Sequence, residues 1–298
     1  MRCLFIKKKY FYAFFLFIVL CIITFCLCKH SPSFAVDITE NCIVSSSLQA
    51  KFDSLNSCDE KVAYLTFDDG PTIKATPKIL DILKEEDIKA SFFVIGKYVK
   101  NHPDIVKREY EEGHYIANHG YDHSNSKLYA SSESFVNEVK STDLEIGKAI
   151  GNLNYCSHIF RFPNGYMSAN NKGSKKKAAK ILQEMDYTYV DWNCLNKDSE
   201  RKTSNYQLLN NLKKSTKNKG TLVVLMHDTA DVNNSSEILK ESISYLKSEG
   251  YQFKNFYDLL KWCFTALPNY VFCIIIIHRF LRRNLCFLVL ERKEKKLI

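Results

Sequence analysis

Short apolar runs alternate with longer amphipathic stretches along the chain from residue 61 onwards. The runs have the length and composition of buried strands, and they occupy residues 62–67, 90–94, 115–117, 159–162, 188–191, 221–226 and 251–253. The stretches between them repeat apolar residues every three to four positions, which predicts helices at 77–86, 104–112, 134–150, 175–185, 205–216 and 236–248. This alternation implies parallel strands with right-handed crossovers. Seven such units suit a (β/α) barrel, complete or incomplete, better than an open sheet, although periodicity alone does not separate the two.

The first sixty residues follow a different pattern. Residues 10–28 contain no charge and come directly after three lysines. A helix of that length spans about 28 Å, which is nearly the hydrocarbon thickness of a bilayer. The basic residues predict a cytoplasmic stub at 1–9 and a single-pass anchor at 10–28 in the cell membrane, with the rest of the chain outside the cell. Because no small-residue cleavage site follows, an uncleaved anchor is preferred to a cleaved signal peptide, which remains the alternative. The serine-rich residues 29–60 are expected to form an extracellular linker.

The net charge of +9 is located at the two ends of the chain. Residues 1–30 carry +5 and residues 261–298 carry +6, which leaves −2 for the segment between them. A near-neutral body argues against binding of nucleic acid. In the tail, the apolar residues 270–277 are followed by three arginines, which disfavour a second spanning helix. A surface-lying basic helix, an extra packed element and a segment without function remain open.

Four cysteines lie between the two ends, and none has the CxxC spacing of a thiolate zinc site. Cys156 and Cys194 are expected at opposite ends of neighbouring strands, which is too far apart for a disulfide.

Polar clusters stand at the ends of the predicted strands: Asp68-Asp69, His119 to His123, Arg161, Asp191 and His227-Asp228. The carboxyl ends of parallel strands meet on one face of a barrel, so a site is expected there. Adjacent acids at a strand end point apart, so that one of Asp68 and Asp69 can ligate a metal while the other acts as a base. The alternative is a turn in which both make local hydrogen bonds.

Histidines four residues apart face the same way if the segment makes a helical turn, as His119 and His123 would. One carboxylate would complete the three-ligand arrangement of hydrolytic zinc sites. Taken alone, such a pair is also typical of ordinary surface or core histidines. His227 is a candidate general acid or a structural histidine, and Arg161 either orients a carboxylate or lies on the surface beside a turn.

Four motifs in this order, TFDDGP, NHGYDH, RFPNG and LMHD, resemble those of the polysaccharide deacetylases, also called carbohydrate esterase family four. The resemblance covers residues 61–260. It implies a distorted parallel (β/α) barrel and metal-dependent removal of acetyl groups from sugars. It also implies that Asp69, His119 and His123 bind one divalent metal, usually zinc, while the ligand set also accepts cobalt, nickel or iron.

The same resemblance makes Asp68 the general base, oriented by Arg161, and His227 the general acid. The backbone N–H of Asn164 becomes the oxyanion donor. Three positions depart from the family pattern: Gly120 replaces a serine or threonine, Asn164 replaces a frequent tyrosine, and Thr188 stands where the first acid of the Asp191-Trp192 motif would be. The resemblance implies that Asp191 supports His227, with Asp198 as the second candidate, and that Trp192 lines the substrate groove.

The expected function is therefore hydrolysis of N-acetyl groups on cell-wall glycan, specifically peptidoglycan N-acetylglucosamine, because the predicted anchor faces the side where that polymer lies. Muramic acid, chitin oligomers and O-acetyl xylan remain open as substrates. A catalytically silent glycan-binding module on the same fold is the alternative from another functional class. The expected partners are the glycan polymer and, through the N-terminal helix, the membrane; the oligomeric state is left open.

Overall fold

The computed structural model describes residues 45–200, 202–229 and 235–265. Its strands are β1 Val62–Asp68, β2 Ser91–Val94, β3 Tyr115–Asn118, β4 Ile159–Phe160, β5 Thr188–Tyr189, β6 Cys194–Leu195, β7 Leu222–His227 and β8 Gln252–Lys254. Its α-helices are α1 Ser45–Ser54, α2 Thr76–Glu85, α3 Gly96–Asn101, α4 Pro103–Glu111, α5 Asn125–Leu128, α6 Ser132–Ile150, α7 Lys172–Glu184, α8 Asn205–Thr216, α9 Leu239–Ser248 and α10 Phe256–Thr265. Short 3-10 helices occupy Leu55–Ser57 and Ser235–Glu237.

All strand pairs are parallel, and the order across the sheet is β5-β4-β3-β2-β1-β7-β6. β8 pairs with residues 62–64 at the beginning of β1, and β2 pairs with residues 66–68 at its end. Among the described residues, β5 and β6 end the sheet without bonding to each other. The predicted parallel (β/α) architecture is therefore confirmed as a curled half-barrel that hydrogen bonds do not close.

The predicted strands and helices agree with the structure wherever the periodic pattern is long. α8 coincides with its predicted range, and the six predicted helices all form. β4 and β5 are shorter than predicted, with two residues each, and β6 is an eighth strand that the pattern did not reveal. Helix ends follow local chemistry: the Ser131 hydroxyl accepts the Ser134 N–H at the start of α6, and Gly151 with φ 76° ends that helix.

The folded domain begins before residue 61. Helix α1 and the 3-10 helix after it lie inside the predicted 29–60 linker, and they bury Leu48, Phe52 and Leu55. The Gln49 side chain donates to the Tyr189 carbonyl at 3.1 Å and accepts the Tyr189 N–H at 3.0 Å. Gln49 thus bonds the free edge of β5 as another strand would.

An aromatic cluster fills the inside of the half-barrel. The Phe256 ring, from the start of α10, lies 5.1 Å from Phe52, 5.7 Å from Tyr64, and 6.0 Å from both Phe93 and Tyr115, centroid to centroid. Phe256 is fully buried. On the other face of the sheet, apolar side chains such as Leu65 and Phe67 pack with the surrounding helices. Polar residues occupy the carboxyl ends of β1, β3 and β7, which end at Asp68, Asn118 and His227.

Several expectations concern residues outside this description. The stub at 1–9, the anchor at 10–28, the first part of the linker and the tail beyond 265 all lie there. Within the ranges that are described, no helix combines the length and apolarity needed to cross a membrane. Cys156 and Cys194 are free thiols, in agreement with the absence of a disulfide between them.

Candidate metal centre and catalytic site

Two carboxylates end the central strand β1. Asp68 is its last residue and is 3% exposed, while Asp69 follows with φ 75°. The left-handed backbone at Asp69 turns the chain, and its N–H donates to the Phe93 carbonyl at 3.3 Å. A Cβ on the next residue, Gly70, would lie 1.8 Å from Asp228 Oδ2, so only glycine allows this close approach. Both acids approach His119 Nε2, Asp69 through Oδ1 at 3.4 Å and Asp68 through Oδ2 at 3.9 Å.

The two histidines lie in the loop after β3. The segment makes no helical turn: Gly120 has φ 83° and His123 has φ 55°, both left-handed. The rings nevertheless converge, with centroids 5.0 Å apart. Glu138 of α6 holds the loop by accepting the N–H groups of Tyr121 at 2.7 Å and Asp122 at 3.0 Å.

Asp69, His119 and His123 form a cluster with the geometry of a metal site. Asp69 Oδ1 lies 3.4 Å from His119 Nε2 and 3.3 Å from His123 Nε2. Donor atoms about 2.1 Å from a tetrahedral zinc ion are separated by about 3.4 Å, so these distances fit one ion between them. The three ligand atoms all lie within 4.8 Å of one another.

The protonation pattern of the cluster also favours a cation. His119 Nδ1 lies 2.7 Å from the Arg161 carbonyl, which only accepts, so Nδ1 donates there and Nε2 faces Asp69. Burial lowers the pKa of His119, but the Asp68 and Asp69 carboxylates outweigh burial and raise it, so the carboxylates stabilise positive charge at this position. Asp69 Oδ1 is buried and has no hydrogen-bond partner among the described residues. Burial opposes ionisation of Asp69, but the surrounding imidazoles hold its pKa below the usual range. Facing acceptors of this kind are stabilised when a divalent cation lies between them.

The second carboxylate, Asp68, is held by a buried guanidinium. Arg161 Nη1 donates to Asp68 Oδ1 at 2.7 Å and to Thr66 Oγ1 at 2.8 Å. Arg161 is fully buried, and its Cζ lies 3.9 Å from the centre of the Phe93 ring. The pair fixes the orientation of Asp68, whose other oxygen lies 3.9 Å from His119 Nε2.

His227, at the end of β7, is paired with Asp198. Its Nδ1 lies 2.7 Å from Asp198 Oδ1, and its backbone N–H donates to Asp198 Oδ2 at 2.7 Å. Burial lowers the pKa of His227, but the hydrogen bond to Asp198 and the nearby carboxylates outweigh it and raise the pKa to about 9. The imidazole is therefore protonated at neutral pH, with Nε2 3.9 Å from Asp69 Oδ2.

These contacts join six of the seven predicted site residues: Asp68, Asp69, His119, His123, Arg161 and His227. Asn164 stands in the turn three residues after Arg161, exposed and with φ 64°. The open question about the support of His227 is answered in favour of Asp198. Asp191 instead accepts the N–H groups of Tyr166 and Met167 in the turn that contains Asn164.

Comparisons with known proteins identify the family of the chain. Residues 56–190 match the family described as polysaccharide deacetylase. A peptidoglycan-N-acetylglucosamine deacetylase of Bacillus cereus is 35% identical over 240 residues, which cover 76% of this chain and 84% of that protein. A peptidoglycan-N-acetylmuramic acid deacetylase of Bacillus subtilis is 30% identical over 226 residues, covering 75% of this chain and 81% of that protein.

A solved structure supports the same relationship. The crystal structure of a polysaccharide deacetylase from Bacillus cereus superimposes with a TM-score of 0.57 at 36% sequence identity. The match covers 66% of this chain and 92% of that chain.

Proposed function

The chain belongs to the polysaccharide deacetylase family, and from this premise we propose that it is a metal-dependent hydrolase of peptidoglycan that removes the N-acetyl group of N-acetylglucosamine. The observation that carries the proposal is the convergence of Asp69, His119 and His123, in which the buried Asp69 Oδ1 has no hydrogen-bond partner within the described ranges. The proposed metal is zinc; the same ligands also suit cobalt, nickel or iron.

Each side chain of the site has a distinct task in this reaction. When bound, the cation supplies a Lewis acid that polarises the acetamide carbonyl and lowers the pKa of water. Asp68, fixed by Arg161, accepts the proton of the attacking water as the new C–O bond forms. The Asn164 N–H donates to the carbonyl oxygen as that atom gains negative charge.

The second half of the reaction depends on His227. Its raised pKa keeps it protonated, so it donates the Nε2 proton to the sugar nitrogen as the C–N bond breaks. Asp198 holds Nδ1 and stabilises the charged ring before the transfer. The products are acetate and the free amino sugar.

The metal requirement is tested by acetate release. We expect the zinc-loaded protein to release acetate from N-acetylated glycan, and we expect Asp69→Ala or chelation to lower the rate by about three orders of magnitude. Asp59→Ala, at an exposed acid before β1, is the matched control and is expected to act as the parent protein does. Release that persists after both treatments contradicts the metal mechanism.

The substrate is tested on a defined panel that offers acetylated glucosamine, acetylated muramic acid, chitin oligomers and acetylated xylan. The proposal expects the highest rate on the glucosamine residues of peptidoglycan, as the name of the 35%-identical relative suggests. A highest rate on muramic acid would assign the specificity named for the 30%-identical relative instead. Glycan binding without acetate release in saturating zinc or cobalt would show a silent binding module.

A further inference from the structure

The turn after Arg161 contains the Asn164 N–H. In the proposed reaction this group donates a hydrogen bond to the oxyanion. The Gly165 N–H donates to the Phe162 carbonyl at 2.7 Å, with Pro163 second in the turn and Asn164 third, at φ 64°. This is the arrangement of a type II turn, whose own hydrogen bond does not use the N–H of the third residue. A left-handed backbone at an asparagine costs about 1 kcal/mol. Contacts with neighbouring groups must therefore hold Asn164 in this conformation.

A buried lysine holds one side of the turn. Lys175 of α7 is 1% exposed, and its Nζ donates to the Gly165 carbonyl and, at 2.6 Å, to Ser168 Oγ. An ammonium group out of contact with water is costly unless its protons are bonded. Both of these bonds are made to the turn, so the helix and the turn are tied together through this single side chain.

A carboxylate holds the other side of the turn. Asp191 Oδ1 accepts the Tyr166 N–H at 2.7 Å, and Oδ2 accepts the Met167 N–H at 2.9 Å. The Gly165 carbonyl and the Tyr166 N–H belong to the same peptide group. That group is therefore held at its oxygen by a cation and at its nitrogen by an anion, which fixes its plane.

The main chain at Asp191 extends this network to the proposed base. The Asp191 carbonyl accepts a hydrogen bond from Arg161 Nη2 at 3.3 Å, and Arg161 holds Asp68. The following residue, Trp192, packs on the turn so closely that a Cβ on Gly165 would lie 2.9 Å from its ring. The short segment Asp191-Trp192 after β5 therefore contacts both Arg161, which orients the base Asp68, and the turn that contains Asn164.

We propose that Lys175 and Asp191 are positioning residues that clamp the 162–168 turn and aim the Asn164 N–H at the reacting carbonyl oxygen. The proposal rests on the deacetylase function proposed above. Loss of a positioning residue and loss of a purely structural residue have different effects on catalysis. A displaced donor weakens binding of the transition state while leaving binding of the ground state and of the metal intact.

The test compares Lys175→Met, Asp191→Asn and the double variant with the parent protein. Each single variant is expected to lower kcat by about 10- to 100-fold, the effect of a misplacement of roughly 1 Å, with KM within about twofold. The double variant is expected to lose about as much as the worse single variant, because both residues act through the same turn. Lys177→Met, at an exposed lysine of the same helix, is the matched control and is expected to keep the parent kcat.

Two readouts separate positioning from folding and from the function itself. Affinity for cobalt, measured by its visible spectrum, is expected to stay at the parent value in every variant. The chain has two tryptophans, so in a Trp262→Phe background the emission of Trp192 reports the turn directly, and it is expected to shift in both clamp variants.

The outcomes are distinct. A parent kcat in Lys175→Met, or a loss of cobalt affinity in step with kcat, overturns the clamp. If the parent protein releases no acetate from any glycan, the proposed function fails. The emission of Trp192 then still shows whether the two residues hold the turn.

Discussion

Glu109 lies on α4 with its side chain fully buried, and neither of its carboxylate oxygens has a hydrogen-bond partner among the residues described. Burial, together with the charge of Asp228, raises its pKa well above the ordinary value. The folded protein therefore keeps Glu109 protonated at a pH where the unfolded chain ionises it. None of the proposed catalytic steps uses this acid, so its burial is a cost in stability.

The sign of the resulting pH dependence follows from proton binding. Above the ordinary glutamate pKa of about 4.3, the folded state binds more protons than the unfolded state, so the free energy of unfolding falls as the pH rises. Glu109→Leu removes this titration. We expect the variant to become more stable than the parent by about 1–3 kcal/mol as the pH increases from 5 to 8, measured by urea unfolding.

The control for this measurement is Glu111→Leu on the same helix, where the side chain is exposed. Its stability relative to the parent is expected to stay nearly constant over the same pH range, since the Glu111 side chain is exposed to water in the folded state as well. A difference for Glu109→Leu that does not grow with pH would show that Glu109 is not buried as a neutral acid.

The residues of the site differ in how far the sequence predicts them. Spacing and position at strand ends predict Asp68, Asp69, His119 and His123, because these lie in short, specific motifs. Asp198 is harder to assign, since it follows β6, a strand of two residues without detectable periodicity. Only the folded chain shows that Asp198, rather than Asp191, contacts His227.

At the level of elements, the same limit explains what the periodic pattern missed. A strand of two residues such as β6 has no alternation to detect, and it forms because its neighbours supply the hydrogen bonds. The Asn193 side chain, for example, accepts the Val223 N–H at 2.9 Å and donates to the Thr221 carbonyl at 2.9 Å beside β6. These contacts depend on residues about thirty positions apart in the chain.

Helix α1 lies inside the predicted 29–60 linker, a prediction that rests on the serines of this segment. The apolar residues of α1 and of the 3-10 helix after it, Leu48, Phe52 and Leu55, are spaced by four and three positions, which is the spacing of one helix face. That spacing was the available indication of a packed helix. Its contacts with β5 show that the domain needs this helix to cover the edge of the half-barrel.

Gln49 makes this covering role testable. Gln49→Leu removes the bonds to both the N–H and the carbonyl of Tyr189 and leaves these two partly buried backbone groups without that partner. We expect the free energy of unfolding to fall by about 2–4 kcal/mol in urea titrations. Gln183→Leu, an exposed glutamine on α7, is the matched control and is expected to change it by less than about 0.5 kcal/mol. Equal losses in the two variants would contradict the edge contact.

For the molecule as a whole, the sequence predicts the site better than it predicts the closure of the sheet. Motifs separated by more than a hundred residues meet because every strand is parallel and presents its carboxyl end on one face. The pairing of Asp68 with His227 follows directly from the register of β1 and β7. The covering of the open edge of the sheet depends instead on α1 and on the aromatic contacts of Phe256, and no sequence motif predicts these contacts.

The location of the whole protein is a further prediction, and it rests on residues 10–28. We propose that this uncharged segment anchors the chain in the cell membrane, with the domain outside, because three lysines precede it and positively charged residues stay in the cytoplasm. The full chain is then expected in the membrane fraction, to resist extraction by high salt and to dissolve in detergent. Protease added to intact spheroplasts is expected to digest the domain.

Removal of residues 1–28 is the matched comparison and is expected to move the protein into the soluble fraction. The mass of the mature chain distinguishes the two readings of the segment. An anchor keeps the full 34.6 kDa, whereas a cleaved signal peptide leaves a shorter chain free of the membrane. Recovery of the full-length chain in the cytosol would contradict both readings, and would also separate the enzyme from the polymer on which we propose it acts.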